Sequence, residues 1–388
     1  MTPHLPPAAA AGLYVHVPFC RKKCRYCDFY SVSRIDLQTG YLEALRQEMR
    51  LAAAAHPTLY FDTLYLGGGT PSVLGAGGVA EIIAAARRAF SFLADTEVTV
   101  EVNPGTIDRD SLKRLRRAGV NRLNIGVQSF QDRHLAFLGR IHTASDARRA
   151  LAWAHTAGFD NIGIDLIYGT PGQSPADWRL DLRQALDEGL AHLSCYSLTY
   201  EDGTPLETAL TRGEFALADE NRVAGMYLQA LDLLAQGGLA QYETANFARS
   251  RAHRSRHNLK YWSFLPYLGL GPSAHSFIAS ERFWNHADID LYIRELGQGR
   301  RPIAERDHLT REKSMIEAIY LGLRLTDGID LLAFADRFKT AFMDLFGKRA
   351  AVFEQNGWLT TTAGRCRLTP RGMLLLDAIA ADFIEHIS

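Results

Sequence analysis

Residues 13–27 read LYVHVPFCRKKCRYC, a short β-rich run followed directly by three cysteines with the spacing C-x3-C-x2-C. The whole chain has only 5 cysteines in 388 residues, so the grouping of Cys20, Cys24 and Cys27 is not a consequence of composition. In a reducing compartment such a group is more typical of metal binding than of disulfide bonding. The stretch therefore predicts a strand that delivers a metal-binding loop.

Similar β-rich runs recur along the first half of the chain, with helical patterns between them. They occupy residues 13–17, 63–66, 98–100, 122–125, 162–166 and 193–196. Strands that alternate with helices indicate a parallel sheet with right-handed crossovers. Since these six units are fewer than the eight of a closed barrel, we predict an α/β fold built on an open, partial (β/α)6 TIM-like barrel.

The pattern changes after the last of these runs, and it divides the chain into four parts. We expect an N-terminal tail at 1–12, the partial barrel at 13–240, an irregular aromatic connecting segment at 241–305, and a C-terminal domain at 306–388. In the last part, helical patterns precede a hairpin-like stretch at 358–368. This arrangement predicts an α+β module resembling a winged helix.

Polar and small residues follow the predicted strands where these end. Residues 67–70 read GGGT after the second strand, while Glu101, Gln128 and Asp165 fall at or just beyond the ends of the third, fourth and fifth. The carboxyl ends of barrel strands converge on the active face. Asp165 lies in an apolar run, where a buried charge needs a partner. The partner of Asp165 is either a ribose hydroxyl of a ligand or a residue in a structural ion pair, and the residues alone leave both alternatives open.

The cysteine loop has the chemistry of an iron–sulfur site. Thiolates are the ligands of such clusters, and a short loop can hold three of them around one cluster. A fourth cysteine would close the site, but the position where one might come is Phe29. The basic residues at 21–25 favour thiolates. The alternatives are an ordinary loop or a zinc site that uses a distant histidine, although zinc usually prefers paired C-x2-C elements.

The cysteine motif and its flanks, residues 16–29, resemble those of the radical S-adenosylmethionine family, in the branch that contains oxygen-independent coproporphyrinogen III oxidase and haem chaperones. The resemblance extends over nearly the whole chain. It implies a 4Fe–4S cluster on Cys20, Cys24 and Cys27, with one iron open to S-adenosylmethionine and able to donate an electron to its sulfonium. It also implies a set of S-adenosylmethionine contacts, namely Tyr14, Tyr26, Gly68, Gly69, Thr70, Glu101, Gln128, Arg140 and Asp165.

Two members of that branch compete. The oxidase resembles C-x3-C-x2-C-x-C, whereas Phe29 occupies the last cysteine position here, and the oxidase has a longer segment before its first strand. Both departures favour a haem chaperone, which binds haem and passes it to acceptor haem proteins. The alternative is oxidative decarboxylation of coproporphyrinogen III to protoporphyrinogen IX. Whether bound S-adenosylmethionine is cleaved stays open.

Residues 257–262 read HNLKYW and resemble the H-N-x-x-Y-W motif of haem-chaperone members. An imidazole is a common axial ligand of haem, and aromatic rings pack on porphyrin faces. Without the resemblance, a histidine beside Tyr and Trp is more typical of a packed structural cluster. A glycine-rich segment at 267–275 ends in a second histidine. The haem candidates are therefore His257, Tyr261, Trp262 and His275, with His253 and His286 as weaker ones.

Charge and hydropathy limit the partners. Lys plus Arg and Asp plus Glu both number 43, so the chain has no global field for nucleic acid, and we expect no nucleic-acid partner. The start of the sequence lacks the basic region of a signal peptide, and no long apolar run predicts a transmembrane segment. We expect a cytoplasmic protein that works with haem, with acceptor haem proteins that include respiratory ones, and with an electron donor for the cluster. Peripheral membrane contact stays open.

Overall fold

A twelve-stranded sheet organises most of the chain in the computed structural model, which describes residues 10–385 and 387. Six parallel strands form its centre in chain order. They are β1 (Ala11–Val17), β2 (Tyr60–Gly68), β3 (Ser91–Val102), β4 (Arg122–Gln128), β5 (Ile162–Tyr168) and β6 (His192–Ser197). β1 and β6 each pair with other neighbours rather than with each other, so the barrel stays open. The predicted partial barrel is confirmed, while most of the expected tail at 1–12 lies outside the described residues.

Helices connect these strands and cover the outer face of the sheet. They are α1 (Gln38–Ala55), α2 (Gly75–Ala89), α3 (Arg109–Arg117), α4 (Asp132–Leu138), α5 (Ala144–Thr156) and α6 (Pro175–Asp187). α6 shows how local sequence sets a boundary: Ser174 caps its first turn, Pro175 takes the first position, and Asp177 completes a capping box. Short 3-10 helices occupy Ile35–Leu37, Pro71–Leu74, Pro104–Thr106 and Arg251–His253.

The segment expected to be an irregular connection adds the remaining strands of the large sheet. α7 (Pro205–Thr211) and α8 (Glu220–Gln236) precede β7 (Ala240–Gln241), β8 (Asn246–Ala248) and α9 (Arg256–Trp262). Four strands then extend the sheet beyond β1, and we call them the side sheet: β9 (Tyr267–Leu270), β10 (His275–Ile278), β11 (Glu281–Asn285) and, after α10 (Ile289–Gly297), β12 (Ile303–His308). These strands are short and joined by tight turns, so their alternation was too brief to read from the sequence.

The C-terminal part is α+β, as predicted. Its elements are α11 (Arg311–Gly322), β13 (Ile329–Asp330), α12 (Leu331–Phe338), α13 (Phe342–Gln355), β14 (Leu359–Thr362), β15 (Arg365–Leu368), α14 (Pro370–Met373) and α15 (Leu376–Ile384). The three strands form a separate antiparallel sheet. Phe264, Phe277 and Leu309 pack together where this part meets the side sheet. Among the described residues, no helix is both long enough and apolar enough to cross a membrane.

Candidate functional site

The concave face of the barrel carries polar side chains, whereas its outer face is apolar. On β1, Leu13, Val15 and Val17 are fully buried, and Tyr14 and His16 alternate with them on the concave side. A cavity of about 550 Å3 lies on this side, and its wall includes the cysteine loop and the carboxyl ends of several strands. All the predicted cluster and cofactor residues except Tyr14 lie along that wall.

The cysteine loop follows β1 and is held at the mouth of the cavity by main-chain and side-chain contacts. The Cys20 amide donates to the Val32 carbonyl at 3.0 Å, which fixes the start of the loop. Cys20 Sγ lies 3.5 Å from Thr70 Oγ1, and Arg140 Nη1 donates to Cys24 Sγ at 3.4 Å. The three thiols are half-buried, so the loop presents them to the cavity without isolating them from it.

The three thiols of the cysteine loop are the kind of donor set that an iron–sulfur cluster uses. Among residues 10–385 and 387, no three His, Cys, Asp or Glu side chains are arranged to hold one metal ion. In a 4Fe–4S cluster each thiolate binds a different iron, so the sulfurs lie further apart than around one ion. The Arg140 guanidinium beside Cys24 also offsets negative charge on a thiolate. Three thiols on one loop, with a guanidinium beside one of them, therefore fit a cluster with three protein ligands.

The glycine turn after β2 lines the cavity and packs closely against the segment that leads into the cysteine loop. Gly69 N donates to the Val17 carbonyl at 2.8 Å, and Thr70 N donates to the Phe19 carbonyl at 2.8 Å. Gly68 adopts a φ of +100°, and a Cβ there would overlap the His16 ring. Glycine is required because larger residues would push this turn away from the loop. The two hydrogen bonds of this turn therefore fix the backbone just before Cys20, where the cysteine loop begins.

Two carboxylates, one on β3 and one on β5, stand on the cavity wall. Glu101 Oε1 accepts a hydrogen bond from the Tyr65 hydroxyl at 2.6 Å, and Asp165 Oδ2 accepts one from Asn124 Nδ2 at 2.7 Å. Burial raises the pKa of Glu101 to about 7, with the charge of Asp165 adding to the effect, and burial raises the pKa of Asp165 to about 6. Asp165 Oδ1 is buried without a partner. This pair is suited to accept hydrogen bonds from hydroxyl groups of a ligand.

Arg140 is half-buried at the site, although an arginine in its sequence context is usually solvated. Its Nη2 donates to the Gly126 carbonyl at 2.8 Å and also bonds Asn103, while its Nε is buried without a partner. Gln128 lies nearby at a bulge of β4 and has a φ of 68°. Backbone strain of this kind is concentrated at binding and active sites. Arg140 thus links the cysteine loop to the strand ends.

Sequence reasoning missed several polar residues on the same wall, among them Tyr65, Asn124, Ser194 and Tyr196. The signal that could have found them is the period of two along a strand. Asn124 lies two residues after Arg122 on β4, before the bulge, and both residues line the cavity. The predicted contact Tyr14 lies outside the cavity wall, where its hydroxyl forms a 3.1 Å hydrogen bond with His16 Nδ1.

His257 lies at the opposite end of the barrel, which we call the base: α9 and the amino-terminal halves of β1–β3. Its Nδ1 forms a 2.8 Å hydrogen bond with Thr63 Oγ1, its Nε2 forms one of 2.7 Å with the Tyr261 hydroxyl, and its ring stacks on Tyr65. Burial lowers the pKa of His257 to about 3. Both ring nitrogens are therefore engaged inside the protein. The assignment of His257 as a haem ligand stays a prediction, and ligation would require one of these two hydrogen bonds to break.

Lys260, Tyr261 and Trp262 of the H-N-x-x-Y-W segment also belong to the base, whereas Asn258 lines the cavity. The Tyr261 ring packs edge-on against Tyr267, and Trp262 is half-buried beneath the Arg324 guanidinium. Lys260 Nζ lies 2.7 Å from Asp62 Oδ1, which fastens α9 to β2. Tyr261 and Trp262 thus hold α9 between the barrel and the C-terminal part. The structure does not bring these two rings to an open haem surface.

His275 is placed quite differently from His257. It begins β10 on the side sheet, is exposed, and stacks on Trp284 with ring centroids 5.4 Å apart and planes 20° apart. The weaker candidate His253 bonds Ser250, and His286 is half-buried at the end of the adjacent turn. Of the haem candidates, His275 alone combines an exposed imidazole with a stacked aromatic ring within the described residues.

Comparisons with known proteins agree with this fold and site. The model of the radical SAM superfamily matches residues 14–185, and the model of the HemN C-terminal domain matches residues 309–375. The parallel strands, the cysteine loop and the carboxylates at the strand ends define the class: a radical S-adenosylmethionine protein. This class implies a 4Fe–4S cluster and S-adenosylmethionine as cofactors.

Relatives that match nearly the whole chain identify the family within this class. Heme chaperone HemW of Mycobacterium tuberculosis is 36% identical over 379 residues, covering 96% of this chain and 94% of the relative. Heme chaperone HemW of Bacillus subtilis is 33% identical, covering 96% and 99%. The chain belongs to the HemW family of radical S-adenosylmethionine proteins. Coproporphyrinogen III oxidase (HemN) from Escherichia coli, described as a radical SAM enzyme, is similar in structure, with a TM-score of 0.84, 25% identity, and coverage of 97% and 90%.

Proposed function

We propose that this protein binds haem and transfers it to acceptor haem proteins. The observation that carries the proposal is similarity to curated haem chaperones at 32–36% identity along nearly the whole chain. Because this similarity includes the barrel and the C-terminal part together, it concerns the whole protein rather than a shared cofactor domain. The resident cofactors are a 4Fe–4S cluster and S-adenosylmethionine.

We assign the cofactors to the cavity at the carboxyl ends of the strands. Cys20, Cys24 and Cys27 hold the cluster, and the other wall residues hold S-adenosylmethionine: Tyr26, Gly68, Gly69, Thr70, Glu101, Gln128, Arg140 and Asp165. Tyr14 supports this wall through His16. When bound, the two groups supply one-electron chemistry at a sulfonium. The unpartnered Asp165 Oδ1 supports the assignment, because a ribose hydroxyl would give this buried acceptor a donor.

Phe29 favours the chaperone over the decarboxylating enzyme. It stands where the oxidase motif has its last cysteine, and its side chain is 64% exposed at the cavity wall. A phenyl ring supplies neither a thiol nor a proton-transfer group there. The structural similarity to HemN keeps the enzyme as the second candidate. The two candidates differ in what they do with a tetrapyrrole: one releases it unchanged and the other removes carboxyl groups.

The finer partners are also parts of this proposal. We place the protein in the cytoplasm, with an electron donor for the cluster and with respiratory haem proteins among its acceptors. A peripheral contact with the membrane would bring it near such acceptors. The clustering of three cysteines on one exposed loop supports a reducing location, because thiols in that arrangement would otherwise oxidise.

The proposal is tested with anaerobically reconstituted, full-length protein. We expect it to bind ferric haem stoichiometrically, to pass it to apomyoglobin as a generic acceptor, and to form no protoporphyrinogen from coproporphyrinogen III. The same reduced protein is incubated with S-adenosylmethionine, with and without haem, and 5'-deoxyadenosine is measured to decide whether cleavage accompanies transfer. Robust formation of protoporphyrinogen would favour the second candidate instead.

The cluster assignment has its own test. We expect Cys24→Ala to abolish the visible absorbance of the cluster, because only two thiols would remain on the loop. Cys195→Ala is the matched control, since this cysteine is buried in the core outside the loop. An intact cluster in the Cys24 variant would refute the ligand assignment.

A further inference from the structure

The cavity of the barrel continues beyond the cofactor residues to the amino-terminal ends of the strands. Its wall there includes Arg122 at the start of β4, His192 at the start of β6, and Asn258 in the first turn of α9. Together with Asn124 and Ser194, these residues line what we call the deep pocket. The cysteine loop and the deep pocket therefore belong to one cavity, at its two ends.

Arg122 is a buried cation without an ion pair. It is 2% exposed, and its Nη1 donates to Asn161 Oδ1 at 3.0 Å and to the His253 carbonyl at 2.9 Å. Both acceptors are neutral, and within the described residues no carboxylate pairs with Arg122, while its Nε and Nη2 make no hydrogen bond. The charge of Asp165 acts on it only from a distance. Because a buried charge is costly unless it is paired, this guanidinium indicates an anionic partner.

His192 adds a second donor that has no acceptor. Its Nε2 lies 2.8 Å from the Tyr242 hydroxyl, and the same hydroxyl accepts a hydrogen bond from the Ser255 amide at 3.1 Å. The hydroxyl proton is therefore directed to Nε2, which places the proton of the neutral imidazole on Nδ1. Burial lowers the pKa of His192 well below its ordinary value, so the ring is neutral. Nδ1 is buried without a partner, and such an N–H group costs free energy until an acceptor reaches it.

A glycine keeps the space beside this donor open. Asn124, Gly163 and His192 form one cross-strand row on β4, β5 and β6. A Cβ on Gly163 would lie 3.0 Å from both Asn124 Oδ1 and His192 Nδ1. The side-chain amide of Asn258 lines the same cavity and makes no hydrogen bond in the part of the chain that the structure describes. Three side chains with unused donors thus surround a space that a larger residue at position 163 would narrow.

This donor set matches a small carboxylate. A planar guanidinium binds a carboxylate through two parallel hydrogen bonds, and the remaining donors can satisfy the other lone pairs of its oxygens. The carboxylate of S-adenosylmethionine is already accounted for by the open iron on the cysteine loop, so the anion of the deep pocket comes from another molecule. The cavity of about 550 Å3 also has to hold S-adenosylmethionine, which leaves room only for a small ligand.

We propose that the deep pocket binds a small carboxylate, which occupies the barrel together with S-adenosylmethionine. Arg122 binds the carboxylate oxygens, and His192 Nδ1 and the Asn258 amide donate further hydrogen bonds to them. The inference goes beyond the proposed function, because haem transfer requires no such ligand. It also gives the polar residues at the amino-terminal ends of β4 and β6 a role that the cofactor site does not explain.

The experiment is a titration of acetate, the probe for a small carboxylate, into anaerobically reconstituted full-length protein. The protein is saturated with S-adenosylmethionine so that acetate cannot reach the open iron, and sodium chloride keeps the ionic strength constant. Binding is followed by saturation-transfer nuclear magnetic resonance of the acetate methyl group. We expect saturable binding, and we expect Arg122→Gln to weaken it by about tenfold or more, in keeping with the strength of hydrogen bonds to charged groups.

Two further variants separate a binding role from a structural one. Arg114→Gln, which removes an exposed arginine on the outer helix α3, should leave the titration unchanged. Because Arg122 also bonds Asn161 and the His253 carbonyl, Asn258→Leu tests the pocket without touching those contacts and should weaken binding by about threefold. Circular dichroism and cluster absorbance show that each variant is folded.

Three results would overturn the proposal: no saturable acetate binding by the wild type, unchanged binding in folded Arg122→Gln, or unchanged binding in Asn258→Leu. None of these measurements contains haem. The deep pocket and the haem-transfer function can therefore fail independently of each other.

Discussion

The base of the barrel and the side sheet each contain one histidine that sequence analysis connected with haem, yet the two regions are built in opposite ways. At the base, both nitrogens of His257 have hydrogen-bond partners and its ring is enclosed by tyrosines. On the side sheet, His275 is exposed and its ring is fixed by stacking on Trp284 while its nitrogens stay free within the described residues.

The difference teaches how to distinguish a structural histidine from a binding one. A buried imidazole whose donor and acceptor are both satisfied contributes to stability, and binding a metal would break those bonds. An imidazole that is oriented by packing alone keeps its bonding capacity for a ligand. The same residue type therefore has all its hydrogen bonds made inside the protein in one region and keeps its bonding capacity in the other. Each prediction below contrasts the two regions or a residue that connects them.

The largest effect is expected from His257→Ala. This change removes two buried hydrogen bonds, leaves Thr63 and Tyr261 hydroxyls without their partner, and opens a cavity beside Tyr65. We expect the free energy of unfolding to fall by about 2–4 kcal/mol, measured by chemical denaturation of the cofactor-free protein. A variant as stable as the wild type would show that the two hydrogen bonds of the His257 ring contribute little to folding.

The next effect concerns Glu101, which is connected to the base through Tyr65. Burial raises the pKa of Glu101 from its ordinary value of 4.5 to about 7. The folded protein therefore holds this proton to higher pH than the unfolded chain does. The contribution to stability is complete below pH 4.5 and is lost as the pH rises through 7, because the unfolded state ionises first.

Glu101→Gln removes that titration. We expect the cofactor-free variant to be more stable than the wild type at pH 8 by on the order of 1 kcal/mol, less than the full shift would give, because the side chain stands on a cavity wall that water enters. At pH 4.5 the two proteins should be equally stable. Glu43→Gln, an exposed change on α1, is the control. Greater stability of the wild type at pH 8 would show that Glu101 is ionised and well paired.

How far the sequence predicts the molecule depends on the range of the contacts involved. The cysteine loop and the strand-end residues are local or periodic features, so their positions on the cavity wall follow from the strand pattern. The environment of His257 depends on Thr63, a contact across 194 residues. Arg140 meets Cys24 across 116 residues, which explains why its sequence neighbours suggested a solvated side chain. Neither contact leaves a local signal.

The strands of the side sheet could not be predicted from the sequence because their local patterns are short. Its strands have only four to six residues, and turns with positive φ at Ser273, Ala279 and Ser280 interrupt the alternation. The sequence identified His275 as a candidate, but its exposure and its stacking on Trp284 depend on which strands pair. Residue types were therefore enough to name both histidines as candidates. Their different environments depend on the tertiary structure.

A smaller effect is expected from Trp284→Leu. The indole stacks on His275 across β10 and β11, so its removal should lower the free energy of unfolding by about 0.5–1 kcal/mol, in keeping with the strength of aromatic pairs. The measurement is chemical denaturation of the cofactor-free protein. Trp284→Phe, which keeps an aromatic ring at this position, is the matched control. An unchanged stability would show that the stacked pair does not contribute to the packing of the side sheet.

The smallest effect is that of His275→Ala on folding itself. Since the imidazole is exposed and makes no hydrogen bond within the described residues, we expect the free energy of unfolding to change by no more than about 0.5 kcal/mol. The measurement is the same denaturation as for His257→Ala. A small loss of stability in His275→Ala beside a large loss in His257→Ala would establish that only the buried histidine is required for folding. Substantial destabilisation by His275→Ala would instead mean that the imidazole is part of the packing of the side sheet.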